Sequence, residues 1–336
     1  MASTSGLRRP GPQSPPPGGD HSTAELLNTV TWVLTALSTV LVGLRLFTRV
    51  RIIRNPGRDD IAVAISSALN ITGASLISVA TTAGLGRHLY YLRPHQLSKS
   101  IKFVTFSQPF CVMSFALSKV AVALLLIRVV PPAFRRAVWF LYCLAGIQLL
   151  LGAVVVILEF AQCSPTRSLW DLSLPLDCWP FTILQNFLYA LGAYSVFCDL
   201  SLALFPIFIF WDLQLQLRTK IGIYFIMGLG VFTAACTIIK TTKIYQRKSS
   251  DFTWLQVDLL LWAFIETNVT IICACLPTLR PLIPHIKGKV PGGLARVATG
   301  KVDQHGIDVD EIALHTIQLK GASSLDLESE HGSLQS

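Results

Sequence analysis

Apolar residues along this chain fall into seven long runs, separated by short polar stretches that hold most of the charge. Crossing a hydrocarbon layer of about 30 Å takes about 20 apolar residues of α-helix. The runs predict helices over 26–47, 61–83, 104–127, 137–160, 184–210, 221–239 and 255–276. The fold class read from this pattern is all-α and membrane-embedded, a seven-transmembrane-helix bundle. Pro109 and Pro206 lie inside the third and fifth runs and predict kinks there, whereas Pro277, Pro281 and Pro284 predict the end of the seventh helix. Three domains follow: a disordered Pro/Gly/Ser-rich N-tail over 1–25, the membrane domain over 26–284, and a flexible C-tail over 285–336. The apolar stretch after the N-tail is too long for a signal peptide.

Composition removes the soluble alternatives. The chain of 336 residues is 52% apolar and 14% charged, against about 25% charged in ordinary soluble domains. Its mean hydropathy is +0.55. The net charge of +9 does not indicate nucleic acid as a partner, because the basic residues cluster between apolar runs as loops flanking spans do. Eight cysteines scattered over this length do not make a secreted disulfide scaffold.

Lysine and arginine set the expected orientation. With the N-terminus outside, 14 basic residues lie on the inner side near the membrane and 11 on the outer side. Five arginines, Arg45, Arg49, Arg51, Arg54 and Arg58, follow the first helix directly, and the first helix usually dominates. The expectation is N-terminus outside and C-terminus cytoplasmic, in the plasma membrane or an endomembrane.

Polar groups within the spans carry the candidate chemistry, because each is costly in hydrocarbon unless paired. Lys119 and Asp199 are each the sixteenth residue of their predicted spans, and Glu266 is four residues shallower in its own. The three helices run in the same direction, so one ammonium and two carboxylates are expected to meet. Two readings stand side by side: a cluster that pins helices together, or a polar pocket for a small apolar ligand or a proton. Asn70, Asn268 and Thr270 are candidates for the leftover hydrogen bonds, with Asp258 and Trp262 on the adjoining face of the seventh helix. Lys119 is taken as the only lysine inside a span.

The loop between the fourth and fifth helices holds Cys163 and Cys178, on the side assigned as non-cytosolic, where disulfides persist. A bridge there is the favoured reading over two free thiols. All seven histidines lie outside the spans, so no intramembrane haem ligand is present. The seventh span contains no lysine for a retinal Schiff base. No cofactor and no metal site is expected. The Asn70 and Asn268 sequons fall within spans and are read as unmodified. Asp303, Asp308, Asp310 and Glu311 lack calcium-loop spacing.

Taken in order, the motifs resemble the fungal rhodopsin-domain integral membrane proteins, of the satratoxin-cluster type. They are Gly57-Arg58-Asp59-Asp60 before the second helix and Gly84-Leu85-Gly86-Arg87-His88 after it. Lys119 with the apolar run to Arg128 comes next, then Cys163-Ser164-Pro165, Trp170-Asp171 and Cys178. Asp199, Pro206 and Trp211 follow, and the stretch from Trp254 through Glu266-Thr267-Asn268-Val269 to Pro281 completes the set. The resemblance implies seven transmembrane helices, a disulfide in the outer loop, and membership of Lys119, Asp199 and Glu266 in the family's intramembrane polar set. It also implies two kinds of role, receptor-like sensing and accessory work beside toxin-biosynthesis enzymes. The first 110 residues contain no cysteine, so a cysteine-rich outer sensing module is not expected.

Three functions compete. Receptor-like sensing or a pathway-accessory role leads, with the lipid bilayer as the sure partner and any signalling partner unnamed. A membrane-embedded cyclase or isomerase would use Glu266 or Asp199 as acid, but a neighbouring ammonium favours their ionised forms. A transporter ranks third, since no inverted repeat is evident. Catalytic residues are not assigned, and an enzyme is the less favoured reading.

Overall fold

The computed structural model describes residues 22–130, 134–171, 173–174, 177–210, 217–244 and 252–279. The expectations for the 285–336 tail, and for all but the last residues of the 1–25 tail, lie outside the described residues. Among the described residues there are seven long helices: α1 Ala24–Phe47, α2 Arg58–Thr82, α3 Pro94–Val129, α4 Arg135–Ala161, α5 Phe181–Phe210, α6 Leu217–Lys243 and α7 Phe252–Leu279. A π-helical turn, Thr48–Ile53, extends α1. Six of the seven are long and apolar enough to cross a membrane among the described residues, all but α6. The protein is an integral, multi-pass membrane protein with an all-α bundle.

Two helix ends differ from the expectation for a physical reason. Helix α3 begins at Pro94, ten residues before its apolar run, because Pro94 suits the first helical turn and Gln96 returns its side chain to the Arg93 N–H at 3.1 Å. Helix α7 runs through Pro277 to Leu279, so the first proline does not end it. A proline's missing N–H interrupts one hydrogen bond, a loss that bundle packing can offset.

Helices α3 and α7 are the centre of the bundle. Helix α3 packs on α2, α4, α5 and α7, while α7 packs on α1, α2, α3 and α6. Small residues allow the close contacts. A Cβ on Gly73 of α2 would stand 2.7 Å from the Cys111 Sγ of α3, and Ser66 and Ser114 exchange hydroxyl-to-carbonyl hydrogen bonds at 2.9 and 2.8 Å. Outward-facing Val33, Val40, Ile61, Trp139, Leu150 and Ile157 are exposed. That apolar exterior suits a hydrocarbon solvent.

The Gly84-Leu85-Gly86 motif ties three helices together. Gly84 and Gly86 adopt φ of 119° and 93°, a backbone region that side chains disfavour. Gly86 then accepts from the Thr23 N–H at 3.1 Å and donates to the Thr253 carbonyl at 3.3 Å. The starts of α1 and α7 are thereby joined to the end of α2.

Candidate functional site

Helices α3, α5, α6 and α7 bring four charged side chains together within the bundle. Lys119 Nζ lies 2.8 Å from Asp199 Oδ2 and 3.7 Å from Glu266 Oε1. It also donates to the Ser195 carbonyl and hydroxyl at 3.2 and 2.5 Å. Lys240 Nζ pairs with Glu266 Oε2 from the last turn of α6. Thr237 stands between the carboxylates, its hydroxyl 3.2 Å from Asp199 Oδ2, 2.9 Å from the Thr233 carbonyl, and in contact with Glu266 Oε1. One hydroxyl proton can serve only one of these three oxygens at a time.

Two ammoniums face two carboxylates, so the quartet is formally neutral when all four are ionised. All but Lys240 are buried, and 16% of the Lys240 side chain is exposed. The Phe115 ring lies under both ammoniums, and cation–π attraction adds to the pairing. Removing one partner would leave a buried charge without compensation, which is the costly case.

Lys240 corrects the expectation that Lys119 is the only lysine within the bundle. The apolar run of α6 ends at Ile239, but the helix continues to Lys243. A lysine stem is apolar for four carbons and buries readily while its charge finds a partner. The signal was present in the sequence: Lys240 follows Thr233 and Thr237 at helical spacing, on one face.

Other expected residues lie elsewhere. Asn268 and Asn70 do not contact the quartet. Asn70 Nδ2 donates to Asn268 Oδ1 at 3.1 Å, the Ser38 hydroxyl donates to the same oxygen at 2.7 Å, and α1, α2 and α7 are cross-linked by this group. Both asparagines are buried. Thr270 returns its hydroxyl to the Glu266 carbonyl at 2.8 Å. Asp258 is exposed and pairs with Lys243 at 3.1 Å. Trp262 is half-buried on the same helix and makes no polar contact with the quartet. Cys163 and Cys178 are joined in a disulfide.

A cavity of about 90 Å³ adjoins the quartet. Lys240 and Phe115 form one wall, with Val112, Leu191, Leu260 and Phe264 supplying apolar surface. Asn70, Gln108 and Thr267 give it polar edges. A void of about 150 Å³ accommodates benzene, and this one is smaller.

A second buried charge network, at the opposite end of the bundle from the disulfide, was not legible as a site. Arg45 is fully buried. Its guanidinium pairs with Asp60 at 2.8 Å and with Asp59, and donates to the Ala274 carbonyl of α7. Arg49 stands 3.8 Å from each carboxylate. Arg128 of α3 reaches Asp59 at 3.3 Å and the Asn55 carbonyl at 2.8 Å. Among the described residues, no group of three or more His, Cys, Asp or Glu could hold a metal ion.

Comparison with known proteins follows the same residues. The fungal rhodopsin domain profile matches residues 44–285. A SAT4 family membrane protein of Emericella nidulans is 28% identical over 64% of this chain and 54% of its own length. The chain thus spans about half the length of that relative. Fugralins biosynthesis cluster protein 2 of Gibberella zeae is 21% identical over 81% of this chain and 71% of its own. The polyenoic acids biosynthesis gene cluster protein Ba17b of Metarhizium anisopliae is 25% identical over 78% of this chain and 75% of its own. No solved structure matches the chain.

Proposed function

Because this chain belongs to the fungal rhodopsin domain family, we propose that it is an accessory membrane protein of a secondary-metabolite pathway that lodges an apolar ligand beside Lys240. The observation that carries this reading is the cavity next to the charged quartet, apolar on most walls and lined by Lys240 on one. Relatives whose names place them in biosynthesis clusters support the pathway context. In this reading α6 also crosses, making seven spans in all, the N-terminus is outside, and the C-terminus is cytoplasmic. Lys240 lines the pocket, and its pairing with Glu266 ties that wall to Lys119 and Asp199. The limited volume admits one end of the ligand, and the remainder lies between helices or in lipid.

Receptor-like sensing is the second reading, and α7 favours it. Glu266 belongs to the quartet, and Ala274, eight residues further along the same helix, accepts from Arg45. A ligand that shifts α7 would act on both charge networks, which is the differential contact a two-state receptor requires.

The test is metabolite profiling of a strain lacking the gene, with wild type, Lys240→Gln or Ala263→Phe returned at matched expression. Ala263 lines the cavity, so a phenyl ring there fills it without altering a charge. The expected result is an accumulated pathway intermediate that wild type clears and Ala263→Phe does not. A parental profile from Ala263→Phe would sink the ligand reading. An unchanged profile in the deletion strain, with lost transcriptional responses to external compounds, would favour sensing.

A further inference from the structure

A second, more open pocket lies at the disulfide end of the bundle, away from the charged quartet. It measures about 430 Å³ and is lined by His95, Ser98, Lys99, Lys102, Phe103, Trp170 and Asp171. That volume falls in the range of small-molecule sites, roughly 300–1,000 Å³. The first turns of α3 provide one wall, because that helix starts ten residues ahead of its apolar run. His95, Lys99 and Lys102 follow spacings of four and three, which places them on one helix face. Lys99 and Lys102 are exposed and have no ion-pair partner among the described residues.

The facing wall is tied by several contacts. The Cys163–Cys178 disulfide closes the loop. Backbone bonds from Ser164 to Asp177, 3.0 Å, and from Trp179 to Gln162, 2.7 Å, brace its base. The Trp170 carbonyl accepts from the Ser98 hydroxyl of α3. Its ring lies 5.4 Å from Phe106, which lies 6.2 Å from Phe160. Asp171 Oδ1 accepts the Ser173 N–H at 3.0 Å, so this carboxylate is held at the rim by its own loop.

From this arrangement we propose that the cavity is a binding site for a small aromatic or alicyclic monocarboxylate. Two unpaired ammoniums three residues apart take the two carboxylate oxygens, since charge-assisted hydrogen bonds are the strong ones. Trp170 and Phe103 cover the flat apolar body. Lys99 and Lys102 against Asp171 leave one net positive charge, which matches a monoanion. Asp171 disfavours a dianionic phosphate by like-charge repulsion. The site stands independently of the cavity beside Lys240, and either can fail alone.

Fluorine NMR of para-(trifluoromethyl)benzoate, titrated against the full chain in phosphatidylcholine nanodiscs, tests the site. The uncharged benzamide is the control. Saturable broadening of the benzoate signal is expected, with little for the benzamide. The Lys99→Gln/Lys102→Gln double variant should weaken binding by about tenfold or more, as loss of a charge-assisted hydrogen bond implies. Asp171→Asn keeps an oxygen for the Ser173 N–H and should tighten binding several-fold, a gain that a misfolded variant cannot produce. Equal binding of the two probes, no saturation, or an unaffected lysine double variant each overturns the proposal. So does loss of benzoate binding when phosphatidylglycerol is added to the discs, because the lysines would then serve lipid headgroups.

Discussion

Lys119 and Lys240 approach the same aromatic ring, with their ammonium nitrogens 4.6 and 4.1 Å from the Phe115 centroid. Carboxylates offset the two like charges at one ring: Asp199 takes Lys119 at 2.8 Å, and Glu266 takes Lys240 on one oxygen while standing 3.7 Å from Lys119 with the other. Glu266→Gln should therefore lower unfolding free energy by about 3–5 kcal/mol. The Glu266→Gln/Lys240→Met double variant should lose less than the two single losses together, because contacting residues couple. Dodecyl sulfate titration in mixed micelles measures both. Strict additivity would show that Lys240 and Glu266 do not act as a pair.

The Arg45 network invites a graded test. Arg45 is fully buried and touches both Asp59 and Asp60, whereas the closest Arg49 approach to either is 3.8 Å. Arg45→Met takes the nearest cation from Asp59 and Asp60, leaving Arg128 at 3.3 Å and Arg49 at 3.8 Å, and should cost about 3 kcal/mol. Arg49→Met should cost less, since its 3.8 Å approaches are too long for hydrogen bonds to either carboxylate. If the two variants unfold at the same denaturant concentration, the network is not centred on Arg45.

Much of the bundle is written in the chain as hydrophobic period and length, and the helix cores come out where the apolar runs lie. Ends are harder. Leu97, Ile101 and Phe103 are too sparse to make an apolar run of 94–103, so its helical state depends on Pro94, the Gln96 cap and packing of the loop at Trp170. Depth counting along parallel helices makes the meeting of Lys119 with Asp199 legible, because two groups at one level in hydrocarbon need partners. Lys240 escapes the same counting, since it sits beyond the last apolar residue of α6 and enters by its long side chain. Arg45 reads as an orientation signal for a related reason. Its pairing with Asp59 and Asp60 spans a loop, and no helical period reports contacts between helices. Asp258 and Trp262 show the converse, for sharing a helix with Glu266 does not bring either to the quartet.

The disulfide joins residues 15 positions apart, and closing a loop of that size contributes roughly 3 kcal/mol in the chain-entropy model. Cys163→Ser/Cys178→Ser should lower the unfolding free energy by about that amount. Reducing agent should shift the wild-type protein and leave the double variant unchanged. Thermal unfolding with and without reductant reads this directly, and a reductant effect that persists in the variant would locate the redox-sensitive group elsewhere.

Two glycines of α6, two residues apart, should respond oppositely to the same substitution. A Cβ on Gly230 would stand 2.7 Å from the Ala203 Cβ and 3.5 Å from its Cα, so α5 and α6 would have to separate. A Cβ on Gly228 meets nothing within 4 Å. Gly230→Ala should destabilise by about 1–3 kcal/mol through overpacking. Gly228→Ala should stabilise by up to about 1 kcal/mol, since alanine costs less backbone entropy in a helix. Parallel dodecyl sulfate titrations of the two variants decide the matter. A Gly230→Ala protein as stable as wild type would mean that α5 and α6 do not pack this closely in the membrane.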